Sequence, residues 1–522
     1  EKILIGSNKN YTITLKSELK EVVITALGIK KQEKSVTYSA QSTNLYKSGE
    51  IPESYLVKAL SGKVQGLEVT NSTGAVGSST RIVLRGTPTI TGNNQALYVI
   101  DGVVFDNSNY DNTNPNAISF SPDDIESVSV LKGSEATALY GIRGKNGVII
   151  ITTKKGKEGK TRVNFDSYVT TARYGKVIDM LNTKQFGEAQ WQAMINSGVN
   201  PNPNQIGYMY DYGYDTNGNA VLNGMMVPKF IDARDGTNNM LSSDTDWFDE
   251  ITRPGLAQSY NLSVSSGTDK TNSFFSLGYY DNQGTIKKSN FNRISARMNS
   301  SYKLLGDMIT IGENFTINHT SELQAPGGVL DLSILALPIM PLKTIDGEWG
   351  SVTSGMRDRD NPARILDANK DNPYSYWRTF GNTYIDIQPI KNLHIKSSFG
   401  VDYSNYYQRA LTYSFGGRLG SDLTSSKMIQ SHSLKWNWTN TATYDLKIDR
   451  NQFNMLAGVE AMKQSDINFS AERRTYELED PDYMWPSAGV GEMYTNGSAT
   501  GYSLMSLFGK VDYAFDDKYL AS

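Results

Sequence analysis

The chain has 522 residues, of which 20% are charged, and 51 basic against 54 acidic residues leave a net charge of −3. Its length suits about three domains, and the near balance argues against a nucleic-acid partner, which would show as a basic excess. There is no cysteine, which excludes zinc ribbons, iron–sulfur clusters, thiol catalysis and disulfide scaffolds. The three histidines, His319, His394 and His432, share no close spacing, which argues against a His-based triad or metal site.

Residues 1–30 hold two short β-prone runs, Thr12-Ile13-Thr14-Leu15 and Glu21-Val22-Val23-Ile24-Thr25-Ala26. Residues 31–45, rich in Lys, Gln and Ser, have no strand or helical period and read as a linker. From 46 to 158 the pattern is that of a compact α+β unit. Leu56, Ala59, Leu60, Val64 and Leu67 space a helix from Pro52 that ends near Gly66. Short strands follow at 67–69, 81–85 and 97–100, the last two stopped by Gly86 and by Asp101-Gly102. Ser121-Pro122-Asp123-Asp124 offers a helix cap, 127–131 alternates as a strand, 135–140 reads as helix, and 147–153 closes the unit as a buried strand.

Beyond Thr161 the pattern becomes repetitive. In 392–403, Leu393, Ile395, Phe399, Val401 and Tyr403 share one parity, and Asn392, His394, Lys396, Ser398, Gly400 and Asp402 the other. Such a half-apolar strand is long enough to cross a bilayer, which takes about 9–11 residues. Comparable segments fall at 162–171, 258–266, 273–283, 290–302, 308–319, 376–388, 392–404, 428–447, 452–466 and 502–515, with another starting at Lys518. Connections at 267–272, 303–307, 389–391, 448–451 and 516–517 are tight, whereas 172–257, 320–375, 405–427 and 467–501 are long. A soluble sandwich has no reason to segregate loop length by side, but an outer-membrane barrel keeps its short turns periplasmic. The longest apolar stretch, 329–342, contains Asp331, Pro338 and Pro341 and is too short to span as a helix.

A barrel of about ten strands has a radius of roughly 10 Å. A unit the size of 46–158 has a radius of gyration of roughly 13 Å, so it does not fit inside. A plugged barrel takes about 22 strands, and an open sheet leaves unpaired backbone in lipid. The expectation is therefore the first part of a longer transmembrane antiparallel β-barrel (159–522) around an α+β plug (46–158). It is preceded by a linker region (19–45) and the remnant of a periplasmic β-sandwich (1–18).

Within this frame several segments are recognisable together. They are Glu21 to Gly28, Leu60 to Leu67, Arg81-Ile82-Val83-Leu84-Arg85-Gly86, Leu97-Tyr98-Val99-Ile100-Asp101-Gly102, Ile125 to Gly133, and Ala138 to Lys154. In this order and spacing the chain resembles the SusC-type TonB-dependent outer-membrane transporters. The resemblance implies a TonB box at Glu21, Val22, Val23, Ile24, Thr25 and Ala26, which adds as a strand to a partner's sheet edge. It further implies TonB with its inner-membrane motor, a SusD-like lipoprotein lid, an oligosaccharide substrate and an outer-membrane location in a Gram-negative bacterium. Importers of peptides, siderophores or cobalamin, and a non-transporting surface receptor, stay open as alternatives.

Arg81, Arg85, Asp101 and Glu126 end apolar plug strands, where they suit either an ionic latch between plug and barrel or ordinary strand-end solvation. Gly86 and Gly102 read as turn residues. The plug loops at 87–94 and 106–116, with Asn93, Asn94, Asp106 and Asn107, suit hydrogen bonding to sugar hydroxyls. Trp191, Tyr208, Tyr210, Trp247 and Trp349 in the long loops could stack on sugar faces. The acidic segment 211–219 has a calcium-like composition but lacks the closing Glu of an EF loop, so an ordinary turn is favoured. Gly141 to Gly147 has no Walker spacing. Asp123, Asp124, Asp358 and Asp360 form no glycosidase motif, and no enzymatic activity or cofactor is expected.

Overall fold

The computed structural model describes residues 22–24, 30–32, 40–43, 62–63, 66–71, 76, 80–84, 86, 89–90, 94–105, 121–131, 140–175, 178–204, 206–231, 240–352, 359–415, 423–516 and 519–521. Most of the chain after Gly159 forms one eleven-stranded sheet whose strands lie in sequence order. It begins with Gly159–Ala172, Gly255–Gly267, Thr271–Gln283, Asn290–Leu304 and Ile309–Leu323. It continues through Tyr374–Ile390, Leu393–Thr412, Ser425–Ile448, Asn451–Arg474, Met493–Phe515 and Tyr519–Ala521. Every neighbouring pair is antiparallel.

The tight turns carry the residues that left-handed backbone requires. Gly306 and Asp307 have φ of 66° and 70°, and Asn392, Asp449 and Asp516 have φ of 74°, 49° and 55°. Asn and Asp tolerate this region better than other side chains because their short polar groups bond locally.

The sheet is inside-out relative to a water-soluble one. On Asn290–Leu304, Arg293, Ser295, Arg297 and Asn299 are buried while Ile294 and Met298 are about half exposed. Asn314, Thr316, Asn318 and Thr320 are likewise buried on the next strand, with Ile311 and Ile317 outside. Leu277, Trp377, Phe399, Leu434 and Trp438 continue the outer apolar face. That arrangement minimises free energy only where the outer solvent is hydrocarbon and the lumen is filled by polar partners. Aromatic residues band both margins: Tyr260 stacks on Tyr279 at 6.4 Å and His319 lies 4.4 Å from Trp377 at one, while Phe453 and Tyr513 lie 5.0 Å apart at the other. From His319 to Ile309 the strand covers about 25 Å at ordinary rise and tilt, the height of a membrane-facing band.

The strands are found where the alternation places them, but the later ones are longer. Leu393–Thr412, Ser425–Ile448, Asn451–Arg474 and Met493–Phe515 have 20, 24, 24 and 23 residues, against 13 to 15 for the strands between Gly255 and Leu323. Much of 405–427 and 467–501, expected as loop, is therefore strand. Pairing continues past the bilayer, where both faces can be polar and the period-two signal vanishes.

The plug is built on a five-stranded sheet in the order Ala40–Thr43, Ile125–Leu131, Val148–Thr153, Leu97–Ile100, Val103–Phe105. Leu97–Ile100 runs parallel to Val148–Thr153, and the other pairs are antiparallel. Burial on both faces explains the unbroken apolar run Val148-Ile149-Ile150-Ile151. A separate hairpin joins Leu67–Asn71 to Thr80–Leu84. Ile82, Tyr98, Phe105, Val128, Val130 and Ile149 are fully enclosed, and the wall contributes Phe380 to the same core, 5.5 Å from Phe105.

Three expectations change here. Ala40–Thr43, read as linker, is the edge strand of the plug sheet. Val103–Phe105 is a strand that the Asp101-Gly102 turn folds back onto Leu97–Ile100. Gly62 has φ of 71°, so helical backbone does not run unbroken to Gly66. The rest of the expected helix at 52–61, and that at 135–139, lie outside the described residues.

Candidate functional site: the plug seat

The plug meets the wall through buried polar groups rather than apolar contact alone. Asp101, at φ 48° in its turn, directs its carboxylate toward Arg297, with Oδ2 2.7 Å from Nη2. Both side chains are nearly enclosed, 4% and 2% exposed. The same carboxylate accepts Thr153 N–H at 3.1 Å and Thr153 Oγ1–H at 2.6 Å, so it also ties the turn to the end of the central strand. Arg297 donates to Thr316 Oγ1 at 2.5 Å and to Asn299 Oδ1 at 3.0 Å, and it also bonds Thr153 Oγ1. Asn299 Nδ2 donates to Lys154 O at 2.6 Å. One wall arginine thus reads two plug strands. Removing one member of so buried a pair costs about 3–5 kcal/mol, because the remaining charge is stranded.

Three further contacts surround this network. Arg378 forms a two-point pair with Asp402, at 2.8 and 2.5 Å, and lays its guanidinium 3.6 Å over the Phe105 ring. Arg143, on the short 3-10 helix Gly141–Asn146, pairs with Glu460 of the wall and approaches Met462 Sδ at 2.8 Å. Ser276 Oγ donates to Asp124 Oδ1 at 2.6 Å. Burial pushes the Asp124 carboxyl above its ordinary range, and the Arg297 charge opposes that shift. Close approach also depends on Gly400: a Cβ there would meet Val103 Cγ2 at 2.9 Å and Asn437 Oδ1 at 2.4 Å.

The other candidate residues separate clearly. Glu126 faces Lys157 at 3.4 Å, but the two are 42% and 73% exposed, a surface pair of small worth. Arg81 contributes its backbone to Thr80–Leu84, and Arg85 lies outside the described residues. Gly86 and Gly102 have φ of 88° and 89°, as their turns demand. Asn94 is buried and closes its own loop, accepting Thr89 N–H at 3.0 Å and donating to Thr89 O at 2.7 Å. Asn93, Asp106 and Asn107 lie outside the described residues. Val22–Ile24 pairs antiparallel with Lys30–Gln32 as a separate two-stranded sheet, and Glu21, Thr25 and Ala26 lie outside the described residues.

The loop aromatics do not form a sugar-stacking surface. Trp191, Tyr208, Tyr210 and Trp247 are buried together with Ile339 and Met340, in a core shared by the two long loops. Tyr208 Oη donates to Thr183 O at 2.9 Å, Tyr210 Oη to Gly187 O at 3.0 Å, and Trp247 Nε1 to Leu337 O at 2.9 Å. Lys343 Nζ sits 3.3 Å over the Trp349 ring. Asp215 spends its carboxylate on the turn of the hairpin Met209–Tyr214/Ala220–Met226, accepting Asn217 N–H and Asn219 N–H at 2.8 Å each. The Asn219 backbone bond, with a further one from Asn219 Nδ2 at 3.1 Å, holds the Asp215 carboxyl below the usual range.

Arg297, Thr153, Asn299, Arg143 and Glu460 escaped the sequence reading. The available signal was charge on the lumen-facing parity of wall strands, where Arg293, Arg297, Arg378 and Glu460 all fall.

Comparison with known proteins places this architecture. Residues 32–148 match the TonB-dependent Receptor Plug Domain. The chain is 27% identical to the TonB-dependent receptor P26 of Formosa agariphila, over 100% of this chain and 49% of that protein. It is 27% identical to the TonB-dependent receptor SusC of Bacteroides thetaiotaomicron, over 88% of this chain and 44% of that one. Among solved structures, the RagAB peptide importer in its open-open state superposes with a TM-score of 0.76 at 20% identity, covering 95% of this chain and 55% of that one. The chain spans about half the length of the curated relatives it matches. Similarity runs through plug and wall alike: residues 32–148 carry a TonB-dependent receptor plug domain, and the chain along its length is similar to SusC-type TonB-dependent receptors.

Proposed function

We propose that the protein imports oligosaccharides across the outer membrane of a Gram-negative bacterium, powered through TonB and working under a SusD-like lipoprotein lid. The single observation that carries the reading is a plug seated in the lumen by reversible polar contacts, with a short β-prone segment ahead of it. Val22–Ile24 pairs over three residues with Lys30–Gln32, and isolated two-stranded pairs are marginal in water. Such a segment is free to add to the sheet edge of a periplasmic partner. Tension on it reaches the plug through Ala40–Thr43, the edge strand of the plug sheet. The resulting rearrangement opens a path past the wall. No covalent step is needed, and the motor supplies the energy.

Deleting residues 21–26 in the full-length transporter tests this. Growth on short oligosaccharides should be lost while the protein's level in the outer membrane stays unchanged. Undiminished uptake after the deletion would overturn the import reading in favour of a surface receptor. Loss of growth on peptides alone would move the substrate to that class.

A further inference from the structure

The four longest wall strands sort their charges by face. Register keeps Leu393–Thr412, Ser425–Ile448, Asn451–Arg474 and Met493–Phe515 in phase. Asp402, Lys435, Asn437 and Glu460 are buried toward the plug, while Phe399, Leu434, Trp438 and Ile467 are exposed on the opposite parity. Every acid of these strands, namely Asp402, Asp445, Glu460, Asp466, Glu472 and Asp512, falls on the inward parity. The outward parity holds only bases: Arg409, Lys463 and Arg473. Arg409 lies 4.3 Å from the Trp485 ring centre, and Arg473 Nε donates to Gly489 O at 2.8 Å, so both are engaged by the loop that follows Arg474. Lys463 is exposed, and its ammonium has no hydrogen-bond or ion-pair partner among the described residues.

Lys463 stands at the outer margin of the membrane-facing band. Phe453 belongs to the aromatic margin at the other end, and the run from Phe453 to Lys463 covers about 25 Å at ordinary rise and tilt. Its register neighbours are Trp436 and Ser503, and Trp436 stacks on Phe399 at 6.1 Å. A lysine so placed lays its stem along the apolar wall and lifts its ammonium to the headgroup level. A cation bordering hydrocarbon needs an anion or water beside it. Water alone gives no reason to keep acids off the whole outward face. An anionic neighbour does, because carboxylates facing it would be repelled. We infer that the outward face around Lys463 docks a phosphorylated glycolipid of the outer leaflet. The phosphate meets the Lys463 ammonium, the acyl chains descend along Ala461 and Val459, and the saccharide lies against Trp436 and Ser465. The inference goes beyond the import reading and needs only that this wall faces the outer leaflet.

The test titrates monophosphoryl lipid A into the full-length transporter, purified in neutral detergent and freed of lipid, with bound lipid followed by native mass spectrometry. The dephosphorylated lipid, phosphatidylethanolamine and inorganic phosphate are the parallel probes. The parent should bind the phosphorylated glycolipid about fivefold more tightly than the dephosphorylated one, the weight of one basic side chain beside an anionic lipid surface. Lys463→Gln should erase that preference and Lys463→Arg should keep it. Lys427→Gln, on the inward parity of the neighbouring strand, should leave it unchanged. No preference in the parent, or an undiminished one in Lys463→Gln, would overturn the site. An equal loss in Lys427→Gln would show that net charge decides and would overturn it too. Phosphatidylethanolamine bound equally tightly would overturn the glycolipid class, and inorganic phosphate that displaces the lipid at similar concentration would overturn the lipid source. Deleting residues 21–26 should leave the preference intact, so failure of the import reading and failure of this site are told apart.

Discussion

The plug seat and the core of the long loops are both buried, and they are held by opposite means. In the seat, Asp101, Arg297, Thr153 and Asn299 exchange charge-assisted and neutral hydrogen bonds between two bodies. In the loops, Trp191, Tyr208, Tyr210 and Trp247 fill a continuous apolar core, with the polar tips of Tyr208, Tyr210 and Trp247 on backbone carbonyls. Aromatic packing loses its contacts all at once and recovers little when opened. Polar contacts can be replaced by water as they part. On the import reading proposed above, packing holds the parts that stay together and charge holds the parts that separate.

The sharpest break of this comparison is a pair of substitutions. Trp247→Ala should destabilise the loop core by about 3–5 kcal/mol and leave the plug seated, as read by urea titration with hydrogen exchange on 183–252 and 97–153. Arg297→Ala should do the reverse, costing about 3–5 kcal/mol at the seat with the loops untouched. The double change Asp101→Asn with Arg297→Met should cost markedly less than Arg297→Ala alone, since Asn keeps the left-handed turn and the Thr153 bonds and no charge is then stranded. If all these variants loosened both regions equally, the two would be one cooperative unit. Next in size, Gly400→Val should cost about 1–3 kcal/mol by overpacking against Val103, visible as faster exchange in 103–105.

A smaller effect concerns Asp124. Burial raises its folded-state pKa above the unfolded value, so the seated plug binds the extra proton. Seating is then strongest at pH values below about 4, the ordinary carboxylate range, and weakens as the pH climbs through the raised value. Asp124→Asn should flatten that slope in urea titrations taken across the acid range. Smallest of all, Glu126→Gln should shift stability by less than about 1 kcal/mol, and less still in high salt. A larger loss would show that exposure misjudges this pair.

How much of this was legible follows from what each feature writes into the chain. Strands facing lipid on one side and lumen on the other must alternate, so Leu393 to Tyr403 announces itself. Their continuation through Tyr407 to Thr412 has no lipid to satisfy and leaves no such period. Ala40–Thr43 is only four residues long and mixed in polarity, and it is a strand because Val128–Leu131 offers an edge. Asp101 could be singled out from its turn, but Arg297 lies 196 positions away and became its partner only through the wall's register. Trp191 and Tyr208 looked like loop aromatics because nothing local in the sequence reveals a core assembled from two loops about a hundred residues apart.

If the proposed import reading holds, the pairing of Val22–Ile24 with Lys30–Gln32 also bears on how a scarce motor would be shared. A partner that takes Val22–Ile24 as a strand competes with a segment tethered by residues 25–29, whose effective concentration is on the order of millimolar. That tether discounts the partner's affinity for every idle transporter by the same factor. An event that strains or opens the small hairpin removes the discount. Under that reading, a limited pool of motors would be left to the transporters whose hairpin has come apart.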